Sequence, residues 1–93
     1  MPAAVPAIAT VTAFLKARRL THLRCHARSG AITIESGPKA DPDPRIRLKK
    51  LSPVVWMVEE FHHSGRWASL PIQAPLPDAL STVATDFSWL LEA

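Results

Sequence analysis

Histidine and cysteine, the side chains that most often bind metals or act as nucleophiles, cluster in one short stretch of this sequence. His22, Cys25 and His26 have a spacing that would suit a metal ion on a helix. On a strand, His22 and His26 would stand roughly 13 Å apart at about 3.3 Å per residue, with Cys25 pointing away. The neighbouring pair His62-His63 would likewise point to opposite faces of a strand. We therefore expect no metal and no cofactor.

Nucleophilic catalysis has weak support in the sequence. Cys25 is the single cysteine, and the alternation of its strand places it between Leu23 and Ala27 as a small core residue. The chain has three glycines and no phosphate-cradling glycine loop, and no serine stands in a nucleophile elbow. An enzyme is therefore the minor interpretation. A lone cysteine also excludes an internal disulfide framework and suits a reducing cytoplasm.

The elements that must position these side chains form an α+β fold of one domain. Periodicity predicts a flexible N-terminus at 1–5, a helix over 6–19, a sheet over 20–72 and a helix over 77–91. The sheet is a five-stranded antiparallel meander with strands over 21–28, 31–36, 45–51, 54–62 and 66–72, separated by turn residues. Both helices have one apolar stripe and are expected on the same sheet face. Trp89 lies off the second stripe, so either it is exposed or the helix breaks near Thr85-Asp86.

Three short turns, treated as two-residue loops, fix the register of the predicted sheet. Arg28 then pairs with Ala31, Leu51 with Val54, and His63 with Arg66. The resulting inner face is almost wholly apolar and comprises Leu23, Cys25, Ala27, Ile32, Ile34, Ile46, Leu48, Val55, Met57, Phe61, Ala68, Leu70 and Ile72.

The outer face predicted by this register joins a basic half to an aromatic and aliphatic half. Its basic residues are His22, Arg24, His26, Arg28, Arg45, Arg47 and Lys49, and its other half holds Val54, Trp56, Val58, His62 and Trp67. An apolar patch on a solvent face indicates a partner, so we expect a protein-binding module, most simply a homodimer joined through Trp56, Val58 and Trp67.

Two alternatives use the same face. Arginine and lysine beside Trp56 could bind single-stranded nucleic acid, although Glu35 and Glu60 interrupt the surface and Glu60 faces Arg45. Alternatively, the stems of the basic side chains cover the tryptophans and nothing binds.

Glu59 is the one residue that breaks the inner pattern, because the same register points it inward between Ile46 and Leu70. A lone buried carboxylate is costly, so it must be neutral or paired. A β-bulge at Glu59-Glu60 would turn it outward, an ion pair with Arg18 or Arg19 would satisfy it, and a small enzyme built around it is the third possibility.

Composition limits the function classes. Eleven Lys and Arg against eight Asp and Glu give a net charge of +3, which is compatible with nucleic acid without demanding it. No apolar run approaches the roughly 20 residues of a membrane span. The first residues carry no positive charge ahead of their apolar part and do not resemble a secretory signal, so a cytoplasmic location is expected.

The order of several short motifs resembles a family of small bacterial proteins of unassigned function. The motifs are the run at residues 14–19, the Glu35-Ser36-Gly37-Pro38 strand end, the strand at residues 45–48, Trp56 and the Gly65-Arg66-Trp67 hairpin. The family has an N-terminal helix, a meander sheet and a tryptophan-rich final hairpin. This resemblance implies the same fold and a binding or modulating role of the kind found in accessory proteins of mobile elements.

Overall fold

A five-stranded antiparallel sheet runs through the protein in the order of the sequence, and a helix lies at each end of the chain. The computed structural model describes residues 6–92, so the flexible N-terminus predicted for 1–5 lies outside the described residues. The elements are α1 (Ala7–Ala17), β1 (Arg24–Arg28), β2 (Ala31–Ser36), β3 (Asp43–Lys50), β4 (Trp56–Phe61), β5 (Trp67–Ala74), α2 (Leu76–Asp86) and a 3-10 helix (Ser88–Leu91). The sheet order β1-β2-β3-β4-β5 confirms the predicted meander.

The first helix ends earlier than predicted because the chain closes it with a Schellman motif. The Leu20 N–H donates to the Leu15 carbonyl at 3.0 Å, and the Arg19 N–H donates to the Lys16 carbonyl at 3.0 Å. Arg19 itself adopts the left-handed conformation with φ 56°, and β1 starts only at Arg24.

The second helix also ends early, at Asp86, because Phe87 leaves the helical conformation with φ −132° and ψ 37° before the 3-10 helix begins. The helix therefore breaks near Thr85-Asp86, which was one of the two predicted alternatives. Trp89 is in addition 56% exposed, so both alternatives hold.

One core joins both helices to one face of the sheet. Val11 and Leu15 of α1 and Leu80 and Val83 of α2 belong to the same buried cluster as the inward side chains of β2 and β3. The four strand residues at its centre, Ile32, Ile34, Ile46 and Leu48, are buried as predicted.

The turn between β1 and β2 has the predicted two residues. Ser29 and Gly30 both have positive φ, 52° and 77°, as the tight turn of a right-twisted hairpin requires. Arg28 pairs with Ala31, which confirms the predicted register.

The turn between β3 and β4 is one residue longer than predicted, and the predicted pair Leu51–Val54 is wrong. The Leu51 N–H donates to the Val55 carbonyl at 2.9 Å, which leaves Ser52, Pro53 and Val54 in the loop. The Ser52 hydroxyl accepts the N–H groups of Val54 and Val55 at 3.3 and 3.0 Å and stabilises this longer turn.

The turn between β4 and β5 is longer by one residue as well, so the predicted pair His63–Arg66 is also wrong. The His62 N–H donates to the Arg66 carbonyl at 2.7 Å, and Gly65 takes a φ of 85°. A one-residue shift exchanges the two faces of a strand. The first shift therefore inverts β4, and the second restores β5, whose Ala68, Leu70 and Ile72 face inward as predicted.

Candidate functional site

The surface of the sheet opposite the helices, called here the outer face, is where the distinctive basic and aromatic side chains meet. Because strand side chains alternate, the observed pairings assign it the following residues: Arg24, His26, Arg28, Ala31, Thr33, Glu35, Arg47, Lys49, Met57, Glu59, Phe61, Trp67, Ser69 and Gln73.

Trp56 and Val58 are absent from the outer face, contrary to the prediction. Val58 lies opposite Leu48 and is 0% exposed, and Trp56 lies at the end of the same inward row and is 8% exposed. The longer turn before β4 is the physical reason, since it reverses the direction of every side chain in that strand. Val55 and Met57 leave the inner set for the same reason, and Val54 lies in the turn.

Arg45 is also not available on the outer face, although it was predicted there. The β2–β3 pairing shifts at this point, so that Arg45 has no cross-strand partner. Its Nη1 donates to the carbonyls of Leu90 and Glu92 at 3.2 and 2.6 Å, and its Nε donates to Ser36 Oγ at 3.2 Å. Arg45 therefore anchors the C-terminal 3-10 helix and does not face Glu60.

The two outlying histidines likewise have local roles. His22 precedes β1 and donates from Nε2 to the Leu91 carbonyl at 2.7 Å. His62 lies at the start of the β4–β5 turn, where its Nδ1 is 3.0 Å from Ser64 Oγ. Neither belongs to the cluster of basic residues on the sheet.

Glu35 is enclosed by two basic residues of β1. Its Oε2 accepts Nε and Nη2 of Arg24 at 3.1 and 2.8 Å, and its Oε1 accepts Nε2 of His26 at 2.7 Å. Arg24 also donates to the Gly37 carbonyl. Glu35 is 7% exposed, and these basic partners compensate its negative charge.

Glu59 faces outward, as the bulge alternative expected, but the register of β4 against β3 is the cause. Its Oε1 accepts the Nε of Arg47, opposite it on β3, at 2.8 Å, so the partner is neither Arg18 nor Arg19. The Arg47 guanidinium carbon also lies 4.4 Å from the ring centroid of Trp67, and Phe61 packs edge-on against that ring at 5.1 Å. Glu60 lies opposite Ile46 and Ala68, in the inward row, and does not interrupt the outer face.

A basic depression of about 290 Å³ lies on the outer face over β1, β2 and β3, at the end of the sheet where the β1–β2 turn lies. Small residues form its middle row on β2, and long basic side chains stand on the strands at either side. Arg28 and Lys49 both lie opposite Ala31, while Arg47 lies opposite Thr33. Ser29 completes the lining, which contains no acidic side chain. The lining residues are Arg28, Ser29, Ala31, Thr33, Arg47 and Lys49.

Arg28 and Lys49 form no ion pair with any other residue of the range 6–92. Strands about 4.8 Å apart place the two backbones roughly 10 Å from each other across β2. The pair thus frames a site with cationic donors on two sides and Ala31 between them, and Ser29 and Thr33 contribute hydroxyl-bearing side chains to the same lining. Such an arrangement suits an anion with several oxygens, such as a phosphate group.

Sequence reasoning singled out the basic residues of the depression but missed Thr33 and Ser29. Thr33 alternates with Ile32 and Ile34, and this alternation is the signal that places its hydroxyl on the outer face. Ser29 occupies the tight turn, where nothing in the sequence links it to Lys49 on β3.

Other kinds of site have less to support them in the part of the chain that the structure describes. No group of three or more histidine, cysteine, aspartate or glutamate side chains in residues 6–92 is arranged to hold a metal ion. Cys25 is half-buried with its Sγ 3.4 Å from Thr12 Oγ1. None of the described helices has the length and apolar character needed to cross a membrane.

Comparisons with protein-family models, with curated proteins and with solved structures give no match to this chain. The resemblance to a bacterial family therefore stays a prediction, and the outer face is the feature of this chain from which a function can be inferred.

Proposed function

We propose that the protein is a binding domain whose outer face holds single-stranded nucleic acid, with the phosphate backbone in the basic depression. The observation that carries this proposal is the pair Arg28 and Lys49, which flank a row of small residues and have no acidic partner among residues 6–92. Phosphate contacts supply most of the affinity in binding of this kind.

The acidic residues of the outer face do not oppose this charge. Glu35 is held by Arg24 and His26, and Glu59 is held by Arg47. A phosphate that approaches the depression therefore meets uncompensated cations first. The sequence pI of about 9.6 agrees with a polyanionic partner.

The aromatic residue beside the depression is Trp67, which takes the base-stacking role predicted for Trp56. The Arg47 guanidinium stacks on the Trp67 ring, and guanidinium planes and aromatic rings are the surfaces on which unpaired bases stack. Arg47 also lines the depression, so it connects the phosphate site to the stacking site.

The predicted self-association would use Trp56, Val58 and Trp67, but Trp56 and Val58 are buried in the core. The outer face keeps Trp67, Phe61 and Met57 as a smaller apolar group beside Glu59 and Arg47. This surface is a weaker basis for a homodimer than the basic depression is for an anion.

The proposal is tested by fluorescence anisotropy with a labelled oligothymidylate at several salt concentrations. Lys49 and Lys50 are neighbours in β3, but Lys49 lines the depression while Lys50 lies beside Trp56 on the opposite side of the sheet. Lys49→Glu and Lys50→Glu change the net charge equally. We expect Lys49→Glu to weaken binding by about tenfold or more and Lys50→Glu to have a much smaller effect.

Salt dependence gives a second measure of the same contacts. The two unpaired cations, Arg28 and Lys49, predict a slope of log K against log salt of about −1.4, at about −0.7 per phosphate on a single strand. Equal losses of affinity in the two lysine variants would show that binding depends on the overall positive charge and not on the basic depression. The absence of binding at low salt would exclude nucleic acid as the partner.

A further inference from the structure

We propose that the free edge of β1 is a second binding site, which takes an extended acidic segment of a partner protein as a sixth strand of the sheet. The two edges of the sheet differ in a way that favours this. At the β5 edge, Leu70, Pro71 and Ile72 all lie opposite the single residue Val58, and such an irregularity with a proline protects an edge from pairing. β1 contains neither a proline nor a register shift.

The backbone groups that β1 offers follow from its hairpin. In a two-residue turn the flanking residues Arg28 and Ala31 form a hydrogen-bonded pair, so bonded and non-bonded pairs alternate from there. Cys25 and Ala27 therefore direct their N–H and C=O groups away from β2. Within residues 6–92, no hydrogen bond from outside the sheet reaches the backbone of Cys25 or Ala27.

A groove beside this edge supplies a place for a side chain of the added strand. Its volume is about 280 Å³, and it lies between α1, the connection to β1 and the start of β1, with this lining: Thr12, Leu15, Lys16, Leu20, Thr21, Leu23, Arg24 and Cys25. Strand addition derives its affinity from backbone hydrogen bonds and its specificity from pockets for alternate side chains. The leucines of the groove suit an aliphatic side chain at the inward position.

Charge identifies the class of partner. Lys16 lines the groove, whose lining contains no acidic residue, and Arg28 is an outward side chain of β1; neither has an ion pair among residues 6–92, whereas Arg24 and His26 bind Glu35. An incoming strand therefore meets basic side chains along its outward row, and acidic residues at alternate positions complement them.

A second copy of this chain is a poor occupant of the same edge. If two β1 strands paired antiparallel through Cys25 and Ala27, Arg24 of each copy would lie opposite Arg28 of the other, so two arginine pairs would face each other. Like charges directly across a strand pair destabilise it. The edge is thus protected against self-pairing while it remains open to an acidic strand.

The experiment uses a fluorescein-labelled peptide of alternating glutamate and valine and a matched peptide of alternating lysine and valine. We expect the full-length protein to bind the acidic peptide and to discriminate against the basic one by more than tenfold. Ala27→Pro removes one of the two outward N–H groups of β1 and leaves the bonds to β2 intact, so it should weaken binding about tenfold or more, whereas Ala27→Val should retain it. A thermal melt of each variant checks that the fold is preserved.

Hydrogen exchange provides an independent readout. The amides of Cys25 and Ala27 should exchange fast in the free protein and become protected when the acidic peptide is bound. Lys16→Glu alters the groove but not the basic depression. It should weaken binding of the acidic peptide and leave the affinity for oligothymidylate unchanged.

Three outcomes would overturn the proposal. The first is an absence of peptide binding at millimolar concentration, and the second is equal affinity for the acidic and basic peptides. The third is a dimer in sedimentation that Ala27→Pro converts to a monomer, which would assign the edge to a second copy.

Discussion

Leu48 on β3 lies directly opposite Val58 on β4, and both side chains are completely buried. This pairing defines the register at the centre of the sheet. It also decides which residues are available for function, because the neighbours Met57 and Glu59 must then face outward. The composition of the outer face is therefore set by the length of the turn between Leu51 and Val55.

Substitutions in two adjacent residues of β4 test this register. Val58→Ala should cost about 1–3 kcal/mol of unfolding free energy, because it removes buried methyl groups and leaves a cavity. Met57→Ala, on the half-buried outer side, should cost less although it deletes more atoms. Urea denaturation of both variants measures the difference. A greater loss for Met57→Ala would mean that β4 faces the other way.

Leu48→Ala extends the test to the partner strand. Leu48 is 0% exposed, so its truncation should destabilise the protein by about 2–5 kcal/mol. The same substitution at Leu51, which is 49% exposed in the turn, is a matched control and should change stability by well under 1 kcal/mol, as about ±0.5 kcal/mol is usual for surface sites. Similar losses at both positions would place Leu48 outside the core.

The sequence predicts the order of the elements well because hydrophobic periodicity and turn residues mark them separately. Register depends on single residues in turns, and the residue types in the turns before β4 and before β5 did not predict the extra residue in each loop. Ser52-Pro53 has the composition of a two-residue turn, yet the Ser52 hydroxyl holds the N–H groups of Val54 and Val55 and adds Val54 to the loop.

β4 does not correct such an error, since it has apolar residues on both of its sides. Trp56 and Val58 alternate with Val55 and Met57, so either face could be buried. The misplaced Glu59 was the available signal. Moving the register by one residue turns Glu59 outward to Arg47 and brings Glu60 inward only near the end of the strand.

Trp56 is a core residue in this structure, and its loss should be felt in stability. Trp56→Ala should destabilise the fold by about 3–5 kcal/mol. In variants that keep a single tryptophan, acrylamide should quench Trp89 strongly and Trp56 weakly, because Trp89 is 56% exposed and Trp56 is 8% exposed. Equal quenching of the two would contradict the inward direction of Trp56.

The contact between Arg47 and Glu59 should contribute measurably to stability. Arg47→Met leaves a carboxylate that is 9% exposed without its cationic donor, which should cost about 1–3 kcal/mol. Glu59→Gln in the same background should recover part of that loss, because a neutral amide is less costly to leave unpaired. A double-mutant cycle measured by chemical denaturation isolates the coupling between the two side chains, and additive effects would show that the pair is energetically unimportant.

Arg45 should determine how firmly the C-terminal end is held. Its guanidinium donates to the carbonyls of Leu90 and Glu92, which are among the acceptors that a helix terminus leaves unsatisfied. Arg45→Met keeps an unbranched apolar stem but removes these donors. We expect faster amide exchange in residues 88–92 and an unchanged rate in the centre of β3, since local opening of a chain end does not require global unfolding. Lys39→Met, in the exposed loop before β3, removes the same charge and serves as the control. Uniform acceleration across the whole sheet would instead make Arg45 a determinant of global stability.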